Sequence, residues 1–149
     1  MRRIAYADLP SFQDQEIGVS DWLRVEQNRV DQFADATGDH QWIHVDAARA
    51  ERERGGTIAH GFLTLSLIGQ FWNEVIDIEG VAHALNYGLD KVRFLAPVPV
   101  GARVRLRLKL KTCEPHAVGQ LTAFTATIEL EGSERPACVA ELLVLLYAA

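Results

Sequence analysis

Residues 102–111 read A-R-V-R-L-R-L-K-L-K, and their alternation has no fault. Val104, Leu106, Leu108 and Leu110 fall on one side, with Arg103, Arg105, Arg107, Lys109 and Lys111 on the other. A strict period of two belongs to an antiparallel strand with one dry and one wet face. Residues 122–131, T-A-F-T-A-T-I-E-L-E, repeat the pattern with Thr122, Phe124, Ala126, Ile128 and Leu130 inward, and E-P-H-A-V-G (114–119) between them supplies turn residues. If the two strands form a hairpin, their dry faces must coincide, so paired residue numbers share parity. One such register sets Leu108 opposite Ala126 and brings Arg105 to Glu129 and Arg103 to Glu131. The cationic stripe is then a solvated sheet face with weak cross-strand ion pairs, rather than a phosphate or RNA track.

Working outward, A-E-L-L-V-L-L-Y (140–147) reads as a strand apolar on both faces after Glu141. A further strand is expected around Lys91 to Leu95, closed by a proline-rich turn. Upstream, Phe62, Leu63, Leu65, Leu67, Ile68, Phe71, Trp72, Val75 and Ile76 cover most of a helix circumference, the pattern of a buried helix. Such a helix runs about 25 Å at ~1.5 Å per residue. One long buried helix against several antiparallel strands is an α+β layer architecture. Wrapped tightly around that helix, the sheet would make a single hotdog domain over residues 1–149. Gln27 to Thr37 is expected as a short helix stopped by Gly38, and Asp46 to Arg54 as a solvated helical turn broken by Gly55-Gly56.

The chain has 149 residues, 48% of them apolar, and a net charge of −5. That charge argues against a nucleic-acid or anionic-membrane partner, since both need a basic surface. The N-terminus lacks the apolar core of a secretory signal, and Phe62 to Trp72 is too short to span a bilayer. Cys113 and Cys138 have no metal or redox spacing and are expected as reduced thiols. A cytoplasmic protein is expected.

Two stretches carry the chemistry. G-D-H-Q-W-I-H-V-D (38–46) crowds two histidines and two aspartates together, and T-I-A-H-G-F-L-T-L-S-L (57–67) opens the long helix. Asp39 and His44 lie five residues apart and can converge in a loop that curls back. His40 and His44 share the spacing of a zinc-binding H-E-x-x-H helix, but Gln41 stands where that motif needs its glutamate. No G-x-S-x-G serine is present, and Ser66 sits mid-helix, where a hydroxyl ordinarily bonds a carbonyl one turn back. An acid/base pair remains. An imidazole such as that of His44 is the side chain suited to proton transfer at working pH, and Asp39 becomes a useful base if Trp42 and Ile43 desolvate it. Taken singly, Asp39 is a turn aspartate, His44 a satisfied half-buried histidine, His60 a cap or packed ring, and Gly61 a site of close packing. Taken together they suggest more. Free N–H groups at the start of a helix stabilise an oxygen that gains charge, and Gly61 would let one approach closely.

F-A-D-A-T-G-D-H-Q-W-I-H-V-D (33–46), followed by the H-G of 60–61, resembles the MaoC-like (R)-specific enoyl-CoA hydratases and dehydratases of the hotdog superfamily. The nearer match is the branch with the nodulation protein N-like proteins and mycobacterial hydratases. N-Y-G-L-D-K-V-R-F-L-A-P-V-P-V-G (86–101) and R-P-A-C-V-A-E (135–141) look like this branch too, and the resemblance runs from about Trp22 to the C-terminus. One departure is Gln41-Trp42, where many members have Asn-Pro, which bears on the pocket wall and acyl-chain preference. The resemblance implies Asp39 and His44 as catalytic dyad and the Gly61 amide as thioester-oxygen donor. The reaction implied is reversible hydration of a trans-2-enoyl thioester to the (R)-3-hydroxyacyl thioester. No metal or other cofactor is expected, the CoA or acyl-carrier-protein thioester being the substrate. A homodimer that completes the substrate tunnel is implied as well. Gln41, Trp42, His60 and Phe62 are substrate-pocket candidates, and Lys91, Arg93, Arg52 and Arg54 are candidates for the CoA phosphates. Two rival readings are a hotdog acyl-CoA thioesterase and a non-catalytic acyl-thioester-binding subunit.

Overall fold

A computed structural model describes residues 1–149. Its main sheet is antiparallel and takes the strands in the order β2 (Glu16–Val19), β6 (Arg103–His116), β7 (Gly119–Leu130), β8 (Cys138–Ala148), β5 (Val81–Phe94), with the short β3 (Leu23–Arg24) also on β6. A separate parallel pair joins β1 (Arg2–Ala5) to β4 (Ile76–Glu79), and a 3-10 turn over Tyr6–Phe12 follows β1. Helices α1 (Gln27–Thr37), α2 (Trp42–Val45) and α3 (Ala47–Arg54) precede the central pair, α4 (Gly61–Ser66) and α5 (Ile68–Val75). This is the hotdog arrangement of a sheet around a central helix.

Parity set the hairpin register as argued as far as Leu110, opposite Phe124; a register shift before Thr112 then reverses it, so that Cys113 pairs with Thr122. Leu108 pairs with Ala126 and Arg105 with Glu129, while the Glu131 N–H donates to the Arg103 carbonyl at 2.9 Å. Val104, Leu106, Leu108 and Leu110 are wholly buried, as are Thr122, Phe124, Ala126 and Ile128 opposite. Burying the valine, leucine, isoleucine and phenylalanine side chains among them supplies roughly 1.5–3 kcal/mol each. The stripe on the wet face meets acids as expected: Glu129 accepts from Arg105 at 2.6 Å and from Arg107 at 2.7 Å.

Three expectations need correction. The strands run on through most of the expected turn, since His116 pairs with Gly119 and only two residues reverse the chain. β5 begins ten residues before the expected strand, at Val81. It lies at the sheet edge and shifts register three times along β8, so no steady alternation marks it. One shift falls between Asp90 and Arg93, where Lys91 adopts a left-handed φ of 50°. The central helix is not buried all round. Leu63, Leu67, Ile68, Phe71 and Val75 face the core, but Phe62, Ser66, Gly69, Gln70 and Asn73 are exposed along one stripe. The helix is also two segments meeting at Leu67, whose backbone stays helical and whose N–H still bonds Leu63.

α1 ends at Gly38, left-handed at φ 77°, and α3 ends at Gly55, so both stop signals act where they were read. Cys113 and Cys138 are free and buried, and burial pushes the Cys138 thiol up to about 11. No helix is long and apolar enough to cross a membrane.

Candidate active site

The left-handed turn at Gly38 swings the chain off α1 and delivers Asp39 beside the start of α4. His44 arrives on α2, whose single turn leaves its side chain buried. Ligating atoms of Asp39, His44 and His60 then all lie within 4.8 Å of one another. Five residues of separation, curled through a short helix, have brought the carboxylate and the imidazole together.

His44 Nδ1 lies 2.7 Å from the carbonyl oxygen of Ile58. Nδ1–H donates there, so the neutral ring carries its lone pair on Nε2. The carboxylate of Asp39 is almost unengaged: its sole contact is a long one, 3.4 Å, from the Gln41 N–H. Two proton acceptors therefore stand side by side, and a water between them would donate one hydrogen to each. Its oxygen lone pairs would then be left for an electrophile.

His40 takes no part. It turns outward to Asp35 at 2.8 Å, and that hydrogen bond raises its pKa above the usual 6.5. The zinc-like His40/His44 pair thus does not form, and His60 is the second imidazole of the cluster. The His44 and His60 rings stack at 3.9 Å with planes 24° apart. Ring-nitrogen lone pairs lie in the ring planes, and two nearly parallel planes stacked at this distance do not meet at a nearby point, which suits a convergent metal shell poorly.

The support of His44 comes from a residue the sequence reading did not single out. Gln27, at the start of α1, donates from Nε2 to the His44 carbonyl at 2.7 Å and accepts from Thr57 Oγ1 at 2.6 Å. A second unforeseen contact concerns Gly61. A Cβ there would meet the Phe94 ring at 3.2–3.3 Å, so the end of β5 packs on the bare Cα at the helix start. Phe94 in turn meets Phe62 edge-on at 6.0 Å, and Phe62 is 68% exposed. Nothing local in a single sequence signals either contact.

Trp42 does not serve simply as a wall for Asp39, since its ring carries the Arg49 guanidinium at 4.2 Å. Gln41 is exposed and stands immediately before α2 without a side-chain capping bond. Among the phosphate candidates, Lys91 pairs with Glu141 at 3.4 Å and Arg52 with Glu53 at 3.3 Å. Arg54 is exposed, and the exposed Arg93 donates only to the Val92 carbonyl. A groove of about 580 Å³ begins one turn along the helix from Gly61, between Leu65, Ile68 and Trp72 on one side and Ala84, Leu89 and Leu142 on the other. It does not include Asp39 or His44.

Comparison with known proteins places this geometry among relatives. A family model described as "MaoC like domain" matches residues 9–132. The chain is 51% identical over 144 residues to the 3-hydroxyacyl-thioester dehydratase Z of Mycobacterium tuberculosis, covering 95% of each chain. It is 45% identical to Nodulation protein N of Rhizobium leguminosarum bv. viciae, over 98% of this chain and 93% of that one. Among solved structures, R-hydratase PhaJ1 from Pseudomonas aeruginosa superposes with a TM-score of 0.75 at 20% identity, covering 92% of this chain and 83% of its own, a likeness of fold.

Proposed function

The chain belongs to the MaoC-like dehydratase family, and from that premise we propose that it hydrates trans-2-enoyl-CoA to (R)-3-hydroxyacyl-CoA and catalyses the reverse dehydration. The observation that carries this reading is the convergence of Asp39 and His44 within 4.8 Å, with His44 Nδ1 fixed on a backbone carbonyl. The similarity to a dehydratase of 3-hydroxyacyl thioesters supports the same class of reaction.

In the proposed step, Asp39 and His44 Nε2 hold one water. As its oxygen bonds to C3 of the enoyl thioester, Asp39 takes its proton. The C2–C3 π electrons move to C2 and the thioester carbonyl, which becomes enolate-like. The Gly61 N–H, at the start of the central helix, stabilises that oxygen. A proton then returns to C2, and the sum is addition of water with no other reagent. General acid/base help of this kind is worth about 10²–10⁴-fold in rate, and an oxyanion donor about 10²–10³-fold.

The acyl chain is assigned to the groove between α4–α5 and β5, and the CoA phosphates to Arg54 and Arg93, the two of the four phosphate candidates without an acidic partner. A homodimer is part of the same reading. β5 pairs on one side only, with β8, and exposes Leu85, Tyr87, Leu89 and Phe94. An open edge with that much apolar surface favours pairing with another strand, and a second copy offers the same edge. Acyl-carrier-protein thioesters present the same reacting atoms and remain within the proposed substrate class. The working compartment on this reading is the cytoplasm.

Crotonyl-CoA tests the reaction. Loss of enoyl absorbance, with (R)-3-hydroxybutyryl-CoA as product, is expected. Asp39→Asn should lower kcat by about 10²–10⁴ while the protein stays folded. Wild-type turnover in that variant overturns the mechanism. Release of free thiol without hydration makes the protein a thioesterase, and tight binding without turnover makes it an acyl-thioester-binding subunit.

A further inference from the structure

One buried titratable side chain near the dyad has no role in that scheme. His60 is 3% exposed and stands immediately before α4. It occupies the cap position without capping, because its ring bonds no helix N–H. Instead its Nε2–H donates to the backbone carbonyl of Asp39 at 2.9 Å, across 21 residues of sequence. One face stacks on His44, and Phe33 meets the ring at 4.9 Å with planes tilted by 53°. The backbone of His60 is itself fastened, its carbonyl accepting from the Thr64 N–H at 3.1 Å.

The other ring nitrogen decides how these contacts are read. His60 Nδ1 is buried and has no hydrogen-bond partner. An unpaired buried polar atom is unfavourable, and a phenyl ring of the same shape would avoid it. Packing alone therefore does not account for an imidazole here. The one thing the imidazole adds is the Nε2–H bond to Asp39. That bond matters because the Asp39 carboxylate has only its long contact with Gln41. With so little holding the side chain, its position follows its backbone, and His60 is what ties that backbone to the helix start.

We infer that His60 is a positioning residue: its Nε2–H holds the Asp39 backbone while its ring face sets the plane of His44, so that both acceptors address the same water. The inference rests on the hydratase reading and deepens it.

Three variants separate the contributions. H60F keeps the ring and the stack but loses the donor. H60Q keeps a donor at comparable reach but loses the ring. D39N keeps the backbone carbonyl but removes the carboxylate whose position the His60 bond is said to fix. Small displacements of a reacting group cost up to about 10²-fold, so H60F is expected to lower kcat on crotonyl-CoA by about 10–100-fold with KM little changed. H60Q should recover the part of that loss that belongs to the donor, and what it fails to recover measures the stack on His44. In the D39N background, adding H60F should change the residual rate less than about threefold, because groups acting as a unit are non-additive. A role in folding alone would multiply in both backgrounds and overturn the inference, as would an H60F enzyme with wild-type kcat. The hydratase reading fails separately, through a wild-type protein that never hydrates crotonyl-CoA but binds it or releases its thiol.

Discussion

Gln27→Leu tests whether the brace beneath His44 does what its geometry implies. Leucine keeps the shape of the side chain closely but removes all three of its hydrogen bonds: 2.7 Å to the His44 carbonyl, 2.6 Å from Thr57 Oγ1, and a solvent-exposed one of 2.9 Å to the Asp31 carboxylate. Thr57 is buried. Each buried group left without a partner costs about 1–3 kcal/mol. Gln27 itself is only half-buried, so water relieves part of this, and the sum falls near 2–4 kcal/mol. For a chain of this size each kcal/mol lowers Tm by about 2–4 °C, which predicts a fall of roughly 5–15 °C. Urea denaturation gives the free energy directly, provided m is unchanged. Thr57→Val removes the same hydroxyl contact from the other side, so the double variant should fall well short of the sum of the singles. Turnover should drop as well, because the carbonyl released belongs to His44. A Q27L protein within about 0.5 kcal/mol of wild type, the scatter of neutral surface changes, would refute the idea that this brace holds the site together.

Two further outcomes follow from the sheet. Partial burial pushes the Glu129 carboxyl up, but hydrogen bonds from Arg107 and Arg105 override this and hold it below its ordinary value. A depressed carboxylate adds stability above its unfolded pKa and loses it as pH falls through the folded one. Thermal melts should therefore show Glu129→Gln costing about 1 kcal/mol at neutral pH, with the gap closing in acid and in high salt; a gap independent of pH would sink the assignment. On β5, Leu85→Lys with Leu89→Lys places charge on the open edge and should convert a dimer to monomer in sedimentation, whereas an unchanged mass would move the interface elsewhere.

The parts of the fold that were legible share one property: their signal is local and regular. β6 and β7 each bury one whole face, so alternation was strict, and parity then forced the pairing of Arg105 with Glu129. α1 was legible because its buried Val30 and Ala34 sit one turn apart and Gly38 ends it in a left-handed turn. β5 fails the same test. As an edge strand with three register shifts, its residues change face repeatedly, and only its end toward Leu95 was read as strand. The central helix misled for a related reason. Its apolar residues do outnumber its polar ones, but Ser66, Gly69, Gln70 and Asn73 fall on one stripe, and that stripe lies open.

The same distinction divides the candidate site. Asp39 and His44 are five residues apart, and a loop that short can hardly keep them from meeting once α2 forms. What orients them comes from farther away. Gln27 reaches Thr57 across 30 residues, and His60 reaches Asp39 across 21. Phe94 covers Gly61 from the far end of an edge strand whose extent was itself misread. Each of these contacts exists only because the sheet, wrapped on the helix, brings separate segments to one point. A carboxylate and an imidazole in one short loop announce that acid/base chemistry is available. The precision that turns availability into rate is tertiary: one N–H on the Asp39 carbonyl, one carbonyl on His44 Nδ1, one amide side chain on the His44 carbonyl. That is why the perturbations with the sharpest expected effects lie at Gln27 and His60, residues whose side chains need never touch the substrate.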